Sequence, residues 1–129
     1  MLQEYTLEIR VRYPECDPEG IVHHSRYFVY FEMARTELYR ANGGSYAQME
    51  AAGKFFVVAS ADCKYLRPAK YDELIQVTVR IQKVTRVKIV HEYEIHRGKT
   101  LLAVAHVTLA MVDREGKVVL IPDEFRPDM

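Results

Sequence analysis

Apolar residues recur at every second position near the start of the chain: Tyr5, Leu7, Ile9, Val11 and Tyr13, with Thr6, Glu8, Arg10 and Arg12 between them. This period of two predicts a half-buried strand. Pro14 and the turn Asp17-Pro18-Glu19-Gly20 end it. The period then changes. Tyr27, Tyr30, Phe31, Ala34, Leu38 and Ala41 are spaced by three and four, apart from the adjacent pair Tyr30-Phe31, which predicts a helix with one apolar stripe. Phe28, Val29 and Met33 lie off the stripe and add apolar surface, so much of the helix is expected to be buried. Ser25 reads as its N-cap and Asn42-Gly43-Gly44 as its stop. Ser45 to Ala52 reads as a second, short helix ended by Gly53.

Strand patterns fill the rest. Phe55 to Leu66 is followed by the breaker Arg67-Pro68-Ala69. Ile75, Val77, Val79 and Ile81 alternate with Gln76, Thr78, Arg80 and Gln82. Val87 to His96 is joined to Leu101–Val112 through the turn Arg97-Gly98-Lys99. The last of these is apolar on both faces, as a central, covered strand would be. Short connections make strands two to five largely antiparallel. Their apolar face needs a cover, and the one long helix supplies it. The expected fold is α+β: a five-stranded, largely antiparallel sheet wrapped around a long central helix. The 129 residues form a single domain.

Composition narrows the function classes. Hydrophobic residues are 49% and charged residues 28%, as in globular proteins. Eighteen basic residues balance eighteen acidic ones, so no whole-protein field favours nucleic acid, and no basic-aromatic stripe appears. Cys16 and Cys63 are the only cysteines and suggest no secreted disulfide framework. The first residues read as neither a signal peptide nor a membrane span, so a cytoplasmic protein without membrane insertion is expected.

The chemistry concentrates between Tyr13 and Glu37, in YPECDPEGIVHHSRYFVYFEMARTE. A carboxylate, Asp17, lies in a turn that Gly20 can tighten, and two imidazoles, His23 and His24, stand before the helix. An Asp in a turn often only caps backbone amides. Histidines after a turn are often solvated, and two adjacent ones without further His or Cys at ligand spacing make no metal site. A helix start, however, offers unpaired N–H groups and a positive dipole end. Those around His24 to Arg26 could stabilise a developing oxyanion. Glu32, Arg35, Glu37 and Arg40 are spaced for solvated ion pairs.

This stretch resembles the signature of the 4-hydroxybenzoyl-CoA thioesterase family of hotdog-fold enzymes. The resemblance rests on the aromatic strand end, Asp-x-x-Gly-hydrophobic-Val and a Tyr just inside the helix. It is most similar to the branch of acyl-CoA thioesterases associated with the Tol–Pal system, which shares a His at position 24 and the segment Phe31-Glu32-Met33-Ala34-Arg35-Thr36-Glu37. YLRPAKYDELIQVTVRI, Tyr65 to Ile81, continues it. The branch often has Tyr or Phe where this chain has His23, which bears on substrate preference.

The resemblance implies an acyl-CoA thioester hydrolase with Asp17 as nucleophile or general base, helped by His24 and by Tyr13 at the strand end. Gly20, His23, Ser25 and Tyr27 would line the substrate site, although Tyr27, on the apolar stripe, also suits the core. Coenzyme A, as part of the substrate rather than a cofactor, would meet Lys83, Arg86 and Lys88, or Arg67 with Lys70. A homodimer or homotetramer with the site between subunits is implied as well. Two other readings stay open. One is a dehydratase of hydroxyacyl thioesters using His24 and Glu32, which leaves the Asp-x-x-Gly turn without a task. The other is an acyl-CoA-binding domain that needs no catalytic Asp17.

Overall fold

The computed structural model describes residues 1–126. Its elements are β1 (Glu4–Arg10), α1 (Arg26–Ala41), α2 (Tyr46–Ala51), β2 (Phe55–Tyr65), β3 (Leu74–Val84), β4 (Ile89–Arg97), β5 (Thr100–Val112) and β6 (Val118–Val119). One antiparallel sheet holds them in the order β1-β3-β4-β5-β2, with the two-residue β6 paired to β5. α1 packs on one face of this sheet, as expected of a hotdog fold; β6 is the one strand the periodicity does not announce. No helix among the described residues is long and apolar enough to cross a membrane.

The periods explain the packing. Tyr5, Leu7 and Ile9 of β1 stand opposite Val79, Val77 and Ile75 of β3. Val77, Val79, Tyr93, Ile95, Ala105 and Val107 continue that face and meet Tyr27, Tyr30, Phe31, Ala34 and Leu38 from α1. Ala34 is fully buried. A methyl side chain there lets the helix come close to the sheet. Each large side chain removed from water in this layer contributes roughly 1.5–3 kcal/mol.

The helix is covered on one side only. Val29 and Met33 are exposed, contrary to the expectation that apolar residues off the stripe are buried. Among the described residues, no other element covers that side of α1. β5 is central, but it alternates buried with half-buried residues instead of being covered on both faces. α1 ends at Ala41, and the chain turns away at Gly43, whose φ of 85° belongs to the left-handed region. α2 has a true cap, the Ser45 hydroxyl accepting from the Gln48 amide at 3.2 Å.

Candidate active site

The segment between β1 and α1 is tied down from both sides. Tyr13–Glu15 forms a single 3₁₀ turn, so the strand stops before Tyr13. Glu15 is the anchor. Its buried carboxylate accepts from the Tyr30 hydroxyl at 2.8 Å, the Arg12 amide at 2.8 Å and the Arg12 guanidinium at 2.9 Å and 3.1 Å. The Glu15 carbonyl accepts from the His23 amide and the Ile21 carbonyl from the Asp17 amide, both at 2.9 Å. These bonds close Asp17–Ile21 into a narrow turn. Gly20 stands there with φ of 81°, and its amide donates to the Asp17 carbonyl at 2.9 Å. The Gly20 carbonyl accepts from Tyr71, and Val22 donates to Ala69, which docks the turn against the segment after β2.

That docking builds a groove of about 370 Å³ at the N-terminal end of α1. Asp17, His23, His24 and Arg67 supply its polar groups, Tyr27 and Tyr65 its aromatic wall, and Ile21, Val22, Leu66 and Pro68 its apolar wall. Five of the residues expected from sequence, Asp17, His23, His24, Tyr27 and Arg67, thus share one site. Asp17 Oδ1 accepts from the Glu19 amide at 2.9 Å, the capping bond expected of a turn aspartate. The other carboxylate oxygen has no partner among the described residues. Asp17 is therefore both a turn residue and a group with an oxygen to offer.

The helix mouth is more selective than the sequence implies. Ser25 stands at the N-cap position of α1, as its place in the sequence suggests, but with helical backbone angles and no side-chain capping bond. Its hydroxyl instead bonds His23 Nδ1 at 2.8 Å, and its amide lies 3.3 Å from the same nitrogen. The Arg26 amide donates to the His23 carbonyl at 2.9 Å and Tyr27 to His24 at 3.3 Å. Of the three amides from His24 to Arg26, the one at His24 has no acceptor among the described residues. The rings of His23 and His24 lie 4.2 Å apart. Ser25 thus fixes the first imidazole, which packs against the second.

Tyr65 is a site residue that sequence reasoning missed. Its hydroxyl donates to the His24 carbonyl at 3.1 Å, and its ring lies 4.9 Å from Tyr27. Burial, with Cys63 beside it, pushes the phenol up to about 12, so at neutral pH it holds its proton and can donate. Burial likewise pushes the Tyr27 phenol up. The apolar wall was missed too; its residues carry no signal in sequence beyond being apolar.

Other expected residues fall outside the groove. Tyr13 does not continue the apolar face of β1; it is 76% exposed and meets Tyr71 edge-on at 5.5 Å. The turn needed to bury Glu15 under Tyr30 swings it out. Lys83, Arg86 and Lys88 surround the β3–β4 turn, where Val84 pairs with Ile89. Tyr65, beside the groove, pairs with Ala103, and Ala103 with Ile95, at the far end of the same strands. Ile95 pairs in turn with Val77 of β3, and seven residues of rise from Val77 to Val84 are roughly 23 Å. The three basic residues therefore lie away from the Asp17 groove of their own chain. Glu32 lies 3.5 Å from Arg35 and does not line the groove, so the His24–Glu32 pair of a dehydratase is not assembled.

Arg67 is exposed at the groove rim, suited to an anionic group of a long substrate. Arg67→Ser is expected to weaken binding of an anionic ligand in the groove about threefold to fivefold, the scale of an exposed ion pair. The effect should fade at high salt. Binding unchanged by the substitution would contradict that role.

Comparison with known proteins identifies the family and the fold. Residues 11–128 match the family described as the thioesterase-like superfamily. The chain is 33% identical to the acyl-CoA thioesterase YbgC of Haemophilus influenzae over 95% of its own length and 91% of that protein's. A DHNA-CoA thioesterase from Staphylococcus aureus superposes with a TM-score of 0.88 at 30% identity, covering 97% of this chain and 85% of that one. A protein from Aquifex aeolicus superposes at 0.89 with 36% identity, covering 93% and 94%.

Proposed function

Because this chain belongs to the thioesterase-like superfamily, we propose that it hydrolyses the thioester of an acyl-CoA in the groove at the start of α1. The observation that supports this most is the meeting there of Asp17, the unpaired His24 amide and Arg67. The reaction is thioester plus water to free acid plus CoA thiol. The acyl carbonyl lies against the His24 N–H, at the positive end of α1, which stabilises negative charge developing on oxygen. The unpartnered oxygen of Asp17 either attacks the carbonyl carbon, giving a mixed anhydride that water then cleaves, or removes a proton from the attacking water. His24 hydrogen-bonds the substrate or the water, and His23 and Tyr27 contact the acyl group. The finer placement, beside the Tol–Pal-associated branch of the 4-hydroxybenzoyl-CoA thioesterase family, belongs to the same proposal. It rests on the Asp17–Gly20 turn and the Phe31–Glu37 segment.

The working form is a homodimer or larger homo-oligomer in the cytoplasm. β2 is an edge strand of eleven residues, largely exposed, and β5 is its one partner among the described residues. An open edge of this length favours pairing with another strand. Two copies paired antiparallel about a two-fold near Ser60 bring the Phe55 end of one β2 beside the Tyr65 end of the other. The β3–β4 turn lies at the Phe55 end. Lys83, Arg86 and Lys88 of the second copy would then approach the CoA held in the first copy's groove.

The test is release of CoA thiol from short aliphatic, long aliphatic and aromatic acyl-CoA substrates by the purified protein. Turnover of one class is expected, and it identifies the acyl group. Binding of acyl-CoA without release from any class would replace hydrolysis by an acyl-CoA-binding role.

A further inference from the structure

Tyr65 stands where the edge of the sheet meets the start of α1. It is the last residue of β2. The backbone just beyond it is held, because the Leu66 and Arg67 amides both donate to the Leu102 carbonyl, at 2.8 Å and 3.1 Å. A side chain at this point therefore has a fixed base. Its hydroxyl donates to the His24 carbonyl at 3.1 Å. The same carbonyl accepts from the Tyr27 amide at 3.3 Å, longer than a usual N–H···O bond. The bond from Tyr65 is the shorter of the two. Burial pushes the phenol up to about 12, so the donor keeps its proton at neutral pH.

The ring is braced as well. It lies 4.9 Å from the buried Tyr27 ring and meets the His24 ring edge-on at 6.4 Å. Tyr27 in turn stacks on Tyr30 at 6.2 Å, and Tyr30 donates to Glu15. One row of aromatic rings thus joins the carboxylate that anchors the Asp17 turn to the phenol that holds His24.

His24 needs such a hold. It precedes the helix, which begins at Arg26, so the regular ladder of helical bonds does not fix it. Its amide has no acceptor among the described residues. The carbonyl, the amide and the imidazole all hang on one Cα, and only two soft backbone dihedrals relate them. With the long Tyr27 bond alone, the peptide after His24 is free to rock, and the amide and the ring turn with it.

We infer that Tyr65 is a positioning residue for the groove: its hydroxyl holds the His24 carbonyl and thereby aims the His24 amide and imidazole at the acyl carbonyl. Tyr65 acts through His24 and does not touch the reacting atoms. The inference rests on the reading of the groove as a thioester hydrolase site.

Tyr65→Phe keeps the ring and removes the bond. kcat for the preferred CoA thioester should fall about tenfold, the scale of a loosened reacting group, while KM stays within about twofold. Thermal unfolding should stay near the wild type, since Tyr65 is 45% exposed. Tyr65→Leu, which also removes the ring, should lose at least as much kcat. NMR of the unliganded protein reads the bond directly. In Tyr65→Phe the His24 carbonyl carbon should move upfield, and the order parameter of the His24 amide should fall below the rigid-backbone value of about 0.85. Unchanged His24 resonances and order parameter in Tyr65→Phe overturn the proposal, and so does an unchanged kcat. A rise in KM larger than the fall in kcat overturns it too, since Tyr65 would then be a substrate contact. A wild type that releases CoA from no thioester removes the hydrolase reading instead, and the His24 resonances then decide by themselves whether Tyr65 holds His24.

Discussion

Asp17→Asn is expected to lower kcat for the preferred CoA thioester by at least about a hundredfold, the scale of a lost general base or nucleophile. The change is nearly isosteric. The amide oxygen can keep the bond from the Glu19 amide, now 2.9 Å long, so the turn survives. The ability to take a proton or form an anhydride is lost. KM and melting temperature should therefore stay close to the wild type, which separates a chemical defect from a folding one. Initial rates of thiol release and thermal unfolding, measured on both proteins, check this. Activity within fivefold of the wild type would reduce Asp17 to a turn cap.

Glu15→Ala should cost roughly 2–4 kcal/mol of stability, far more than Arg12→Ala. Glu15 is buried, and its removal strands the Tyr30 hydroxyl, itself 1% exposed; such an orphan costs about 1–3 kcal/mol. The charge-assisted bond from the Arg12 amide is lost as well. The Arg12 guanidinium is mostly exposed, so its pairing with Glu15 adds little. Burial alone would push the Glu15 carboxyl up. The Arg12 amide and guanidinium and the Tyr30 hydroxyl outweigh that and hold it below the usual carboxylate range. The stabilisation is thus present above the unfolded carboxylate pKa and is lost as pH falls through the lower folded value. The charge-neutral Glu15→Gln should consequently be most destabilised near neutral pH and approach the wild type on acidification. Urea unfolding across that range tests this, and a deficit that stays constant with pH would contradict it. Because Glu15 anchors the turn bearing Asp17, kcat should also fall in both variants.

Pattern alone was a good guide to the elements and a partial guide to the site. The stripe from Tyr27 to Leu38 became the buried face of α1, and the alternation from Ile75 to Ile81 became β3. Asp17, His23, His24 and Tyr27 could be grouped because few residues separate them. The same local logic failed where a distant partner intervened. Alternation carried the first strand through Tyr13, but the bond between Glu15 and Tyr30 bent the chain before it. Ser25 took the N-cap position read for it, but its hydroxyl went to His23 instead of the helix.

The sequence by itself determined the periods of helix and strand, the positions of the turns and the acid placed before a helix mouth. Those features depend on backbone geometry over a few residues. The tertiary structure decided which remote residues share a site. It brought Arg67 and Tyr65 to Asp17, left Lys83, Arg86 and Lys88 at the other end of the sheet, and set Arg35 against His91 within the core. Those neighbours follow from the strand order β1-β3-β4-β5-β2 and from where α1 crosses it. They are set by packing between segments far apart in the chain, which no local period encodes.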